Sequence, residues 1–80
     1  MKHYLKLHPK YFDDVKSEKK NFEVRFNDRD FKVGDILNLN EYYNGYYTGR
    51  FVERRVTYVL NDFIGLTTGF VALGLESVEE

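Results

Sequence analysis

The chain has no cysteine and no tryptophan, and only one proline and one methionine among its 80 residues. Without cysteine there is neither a disulfide nor a thiolate metal site to staple a small fold, so the core must hold it alone. Long apolar runs are missing too. Nothing approaches the length of a membrane span, and the mean hydropathy is −0.55. The start, Met1-Lys2-His3-Tyr4, passes straight into an alternating pattern without the apolar stretch and cleavage site of a signal peptide. A cytoplasmic protein with no membrane partner is the expectation. Linkers, low-complexity tracts and internal repeats are also lacking, and residues 1–80 are expected to form a single domain.

Seven Phe and seven Tyr are present instead, and they offer large buried areas per residue. The net charge of −1 hides an asymmetry: residues 1–34 carry +3 and residues 35–80 carry −4. Holding nucleic acid by bulk phosphate neutralisation needs a more basic chain, so any such contact must be local and drawn from the amino-terminal half.

His3-Tyr4-Leu5-Lys6-Leu7-His8 alternates, with Leu5 and Leu7 on the face of His3. Lys6 belongs to no motif. Pro9 opens a helix reaching to about residue 18, with Tyr11, Phe12 and Val15 on one side and Lys16, Lys19 and Lys20 at its carboxyl end. Further strands are expected over residues 21–26, 35–43, 50–60 and 70–76. Asn44-Gly45 is a type I′ hairpin signal that pairs Tyr43 with Tyr46 and Tyr42 with Tyr47. In the strand from Arg50 to Leu60, alternation puts Val52, Arg54, Val56, Tyr58 and Leu60 on one face, where Arg54 is the misfit. The pattern predicts an α+β fold, a small and mostly antiparallel β-barrel of about five to six strands with one N-terminal helix.

Most of the chemistry lies between residues 19 and 35. Alternation in Phe22-Glu23-Val24-Arg25-Phe26 puts Phe22, Val24 and Phe26 on one face, read as core, and Glu23 with Arg25 on the other, read as an accessible cleft. Lys20 joins Glu23 and Arg25 only if the chain bends near Asn21. On spacing alone, a solvated strand face with a surface ion pair is the simpler reading. His3 and His8 have opposite strand parity, which disfavours an acid–base pair. Metal chemistry lacks both cysteine and close ligand spacing, so no metal or cofactor is expected.

Tyr11-Phe12-x-x-Val15, Lys19-Lys20-x-Phe22-Glu23-x-Arg25 and Asn27-Asp28-Arg29-Asp30-Phe31-x-Val33-Gly34-Asp35 occur in order along the chain. Tyr47-Thr48-Gly49-Arg50, Val56-Thr57-Tyr58-Val59-Leu60 and Val71-x-Leu73-Gly74 follow. Over nearly its whole length this resembles the phage and bacterial DUF3850 family, within the ASCH superfamily of PUA-like barrels. The superfamily's signature is a glycine followed by a lysine, a glutamate and an arginine. Lys20, Glu23 and Arg25 match it, whereas Glu18 stands at the glycine position and must either take a left-handed conformation or end the helix differently.

The resemblance implies a module that binds RNA or a nucleotide in a cleft at Lys20, Glu23 and Arg25, with Asn27, Asp28 and Arg29 as further lining. Turn-capping is an equally good role for the last three. Some small members of the superfamily are amidohydrolases acting on acylated cytidine, and ribonuclease activity has been proposed within it. The alternative function is therefore hydrolysis through Lys20 and Glu23, with Glu76 as a candidate second carboxylate. Glu23 replaces the threonine of those enzymes, and a carboxylate cannot copy a hydroxyl nucleophile. Oligomeric state is not legible.

Overall fold

The computed structural model describes residues 1–78. Lys2–Leu7 forms β1, burying His3, Leu5 and Leu7 on one side. Pro9–Lys16 forms α1, whose start is capped by the His8 ring accepting a hydrogen bond from the Lys10 N–H. The helix buries Phe12 and Val15, while Tyr11 is turned outward. Four more strands follow: β2 (Phe22–Phe26), β3 (Ile36–Tyr43), β4 (Tyr46–Leu60) and β5 (Phe70–Ser77). Asn44 and Gly45 take φ of 53° and 90° between β3 and β4, as a type I′ turn requires. Both tyrosine pairs form in the expected register.

All five strands join one curled sheet in the order β1-β3-β4-β5-β2. The β1–β3 pairing is parallel, with α1 in the connection, and the others are antiparallel. The expected small, mostly antiparallel α+β barrel is therefore found, with five strands curled into a half-barrel. Its inner face carries Leu5, Leu7, Leu37, Leu39, Val56, Val71, Leu73 and Leu75, closed at one end by Phe12 and Val15 of α1. His3, buried against the edge of the Phe31 ring, bonds Asp35 at 2.8 Å and ties β1 to the start of β3. Burial works to raise the Asp35 carboxyl, but His3, the Lys32 N–H and the terminal ammonium hold it below the usual carboxylate range.

The face assignment along β4 needs correcting past Val56. Pairing shifts between Val56 and Tyr58, so Thr57 is an extra residue and the alternation flips. Val59 then packs against the core, while Tyr58 is exposed. Gly74 sits opposite the bulge, and a Cβ there would lie 2.8 Å from the Thr57 hydroxyl. Arg54 stays on the inner face, where it donates to the Val15 carbonyl at 2.9 Å and the Lys16 carbonyl at 3.3 Å. It thereby adds a donor to carbonyls at the carboxyl end of α1, where intrahelical partners run out.

Candidate functional site

The two free edges of the sheet, β1 and β2, face each other across an unclosed seam, and that seam is the candidate site. Glu18 adopts φ 67°, the left-handed conformation that its place after the helix demands. The Lys20 N–H then reaches back to the Asp14 carbonyl at 2.9 Å, fixing where this lysine leaves the helix. Because β2 begins only at Phe22, Lys20 is not bound by strand parity. Its ammonium comes over the edge to the Phe22 carbonyl at 2.9 Å and Glu23 Oε1 at 2.5 Å.

The orientation of β2 reverses the core assignment made from its sequence. Phe22, Val24 and Phe26 lie on the outer face and are about half exposed, while Glu23 is only 4 % exposed. Register explains this. Glu23 and Arg25 sit opposite Leu73 and Val71, the inward residues of β5, whereas Phe22, Val24 and Phe26 oppose Gly74, Ala72 and Phe70. The apolar residues therefore sit on the outer side of a short edge strand, where they border the cleft, and the charged pair lies on the inside where the barrel stays open.

Both Glu23 oxygens are engaged, Oε1 by Lys20 and Oε2 by Arg25 Nε at 2.9 Å. A second Arg25 nitrogen crosses the seam to the Lys6 carbonyl of β1. The three side chains thus converge with a net charge of +1, and both cations remain partly accessible. Lys20 Nζ also lies 5.3 Å from the Tyr11 ring centre and 4.9 Å from that of Phe22. The cleft beside them measures about 600 Å³ and is lined by Lys6, Leu7, His8, Tyr11, Phe22–Phe26, Lys20 and Phe70.

Asn27, Asp28 and Arg29 do not line this cleft. Asn27 braces the following turn, its side-chain oxygen accepting from the Phe31 N–H at 3.0 Å. Asp28 is exposed and lies 3.8 Å from Arg29. Arg29 donates to the Tyr4 carbonyl at 3.3 Å, a second tie across the seam. Glu76 pairs with Arg55 at 3.0 Å on the face of β5 opposite to Glu23.

Of the residues in the cleft wall, sequence reasoning placed only Lys20, Glu23 and Arg25 there and passed over the rest, Lys6, His8 and Tyr11 included. The His8-Pro9 helix start was the available signal, because a capping residue between β1 and α1 must sit at the end of the seam. Another omission is Glu41, buried on the inner side of β3 near a shift in the β3–β4 register. It accepts from Thr48 at 2.6 Å and from two Arg50 nitrogens at 3.0 and 2.8 Å. The Arg50 guanidinium lies over the Phe12 ring at 4.3 Å. Hydrogen bonds from Arg50, then Thr48, lower the Glu41 carboxyl from the usual 4.5 to about 2. An acid sharing the parity of Leu37 and Leu39 was the visible sign.

Among the described residues, no group of His, Cys, Asp and Glu could hold a metal ion, and no helix is long and apolar enough to cross a membrane. The chain is 48% identical over 64 residues to an Escherichia phage P2 protein described as "Uncharacterized 12.9 kDa protein in GpA 3'region". The matched segment takes in 78% of this chain and 59% of that relative, so the chain spans well under two thirds of the phage protein. Residues 2–75 match the family described as "Domain of unknown function (DUF3850)", and with that coverage the chain belongs to the DUF3850 family.

Proposed function

We propose that this protein binds RNA or a nucleotide in the seam cleft, with Lys20 and Arg25 meeting phosphate or a base carbonyl. One observation carries the reading: two cations are fixed on one buried carboxylate beside an open, aromatic-walled hollow of about 600 Å³. That volume falls within the usual range of small-ligand sites. Glu23 holds both cations in place before a ligand arrives, so little side-chain entropy remains to be lost on binding. Tyr11 and Phe22 offer flat faces for a base next to the ammonium. The likeness of Lys20-x-x-Glu23-x-Arg25 to the ASCH signature supports the same reading.

Hydrolysis finds less support in this geometry. A general base must be reached by the attacking water, and Glu23 is almost fully buried beneath the two cations it holds. Glu76 lies on the wrong face of its strand to complete a two-carboxylate site.

Titration of a labelled short single-stranded RNA tests the proposal. Neutralising two or three phosphates predicts a shallow salt slope, about −1.5 to −2. Arg25→Ala and Lys20→Ala should each weaken binding about tenfold, while Lys32→Ala, on the loop before β3, should leave it unchanged. Arg25→Lys keeps the charge but loses the fork across the seam, and should fall between. Absence of affinity at low salt for both RNA and mononucleotides would overturn the reading.

A further inference from the structure

The outer face of β1, β3 and β4 carries features that neither the core nor the cleft uses. Tyr4 on β1 and Tyr47 on β4 are 63% and 61% exposed. Together with Leu5 and Asn40 they line a shallow hollow of about 230 Å³. Tyr42 packs edge-on against Tyr47, with ring centres 4.9 Å apart, and steadies it. Cross-strand contact therefore accounts for one side of the Tyr47 ring, and nothing in the sheet accounts for the outward side of Tyr4.

A relay of hydrogen bonds fixes the polarity of that hollow. Lys2 pairs with Glu53 at 2.8 Å, so the carboxylate is ionised and acts only as an acceptor. Asn38 must then turn its amide nitrogen to Glu53, at 2.8 Å, and its oxygen to Asn40. Asn40 in turn spends its nitrogen on the Asn38 side-chain oxygen at 2.5 Å and the Asn38 carbonyl at 3.1 Å. The network leaves the Asn40 oxygen as an acceptor with no donor among the described residues. Flat aromatic walls around a fixed acceptor suit a planar group presenting N–H, such as the exocyclic amine of a nucleobase.

The platform also adjoins the cleft. The Lys6 and Tyr4 carbonyls receive Arg25 and Arg29 at the seam, while the same residues turn their side chains onto the outer face. Lys6 lies 4.4 Å above the Tyr42 ring and has no carboxylate partner among the described residues, leaving its charge for a phosphate. Only one strand spacing, about 5 Å, separates β1 from the β3 row holding Asn40.

We propose that this face is a base-stacking subsite for single-stranded nucleic acid that crosses β1 from the seam cleft, with Tyr4 and Tyr47 as stacking surfaces and Asn40 as the acceptor for a base amine. The inference rests on the cleft reading and narrows it, since the preferred ligand becomes an oligonucleotide with amino-bearing bases.

Because the chain contains no tryptophan, Tyr4→Trp supplies a unique reporter that preserves stacking. Its fluorescence should be quenched by an oligoadenylate of about four nucleotides and not by adenosine monophosphate. Tyr4→Ala and Tyr47→Ala should each weaken the tetranucleotide about tenfold, with mononucleotide affinity unchanged and the fold intact by circular dichroism. Asn40→Leu should erase a preference for oligoadenylate over oligouridylate. Equal affinity for mononucleotide and tetranucleotide, or unaltered affinity in both tyrosine variants, would overturn the platform while leaving the cleft reading standing. Binding of neither ligand would remove both.

Discussion

Glu23 and Glu41 are chemically alike and almost equally buried, at 4 % and 5 % exposure, yet they organise opposite kinds of surroundings. Around Glu41, all three Arg50 nitrogens face carboxylates. Two of its nitrogens go to Glu41, the third to Asp13 at 3.4 Å, and its flat face lies over Phe12. Counting Asp13, that cluster sums to −1. Around Glu23 the sum is +1, and the excess lies beside a hollow. A buried carboxylate held by arginine is therefore no mark of a site by itself. What separates the two is a cation in surplus and space next to it.

The severest way to break this contrast is at the closed cluster. Phe12→Ala removes a core side chain and the surface beneath Arg50, and should cost about 3–5 kcal/mol in urea unfolding. Glu23→Gln should come next, at about 2–3 kcal/mol, because it strands two cations in a partly buried setting. A cost near zero would return Glu23 to the status of a solvated strand residue.

Acid sharpens the comparison. The Glu41 carboxyl is depressed in the folded state, so the stability it contributes is fully present above its usual value of 4.5. That contribution is lost as pH falls toward about 2. The advantage of the wild type over Glu41→Gln should therefore shrink across that window in acid titrations followed by circular dichroism, and should stay constant from pH 5 to 7. The smallest effect is expected on the outer face, where Phe22→Ala should cost less than about 1 kcal/mol, since half of that ring is already in water.

Alternation in residues 22–26 correctly grouped Glu23 with Arg25, because strand parity is geometric. It could not say which group faces inward. The usual inference from apolar to core fails here because β2 is an edge strand bordering an open seam, where an ion pair can be satisfied inside. Lys20 was legible as a motif residue, but its approach to Glu23 depends on the left-handed turn at Glu18 and not on any periodicity. The Thr57 bulge left no composition signal, and one extra residue was enough to exchange Tyr58 for Val59. Arg54 was visible as a misfit on an apolar face. Its partners, carbonyls at the end of α1, are distant in sequence and invisible to local patterning.

The strand order has a consequence for how the molecule assembles. β3 and β4 are joined by a two-residue turn, and β5 follows β4 in the same meander. By contrast β1 must find β3 across α1 and β2, and Phe22 of β2 must find Gly74 of β5. Closing those long loops costs entropy before any contact rewards it, so the meander can form first and the two outer strands join it late. Both lips of the cleft come from those late strands. Local opening should therefore start there, and a ligand spanning the seam would close the part of the fold that is otherwise first to unravel.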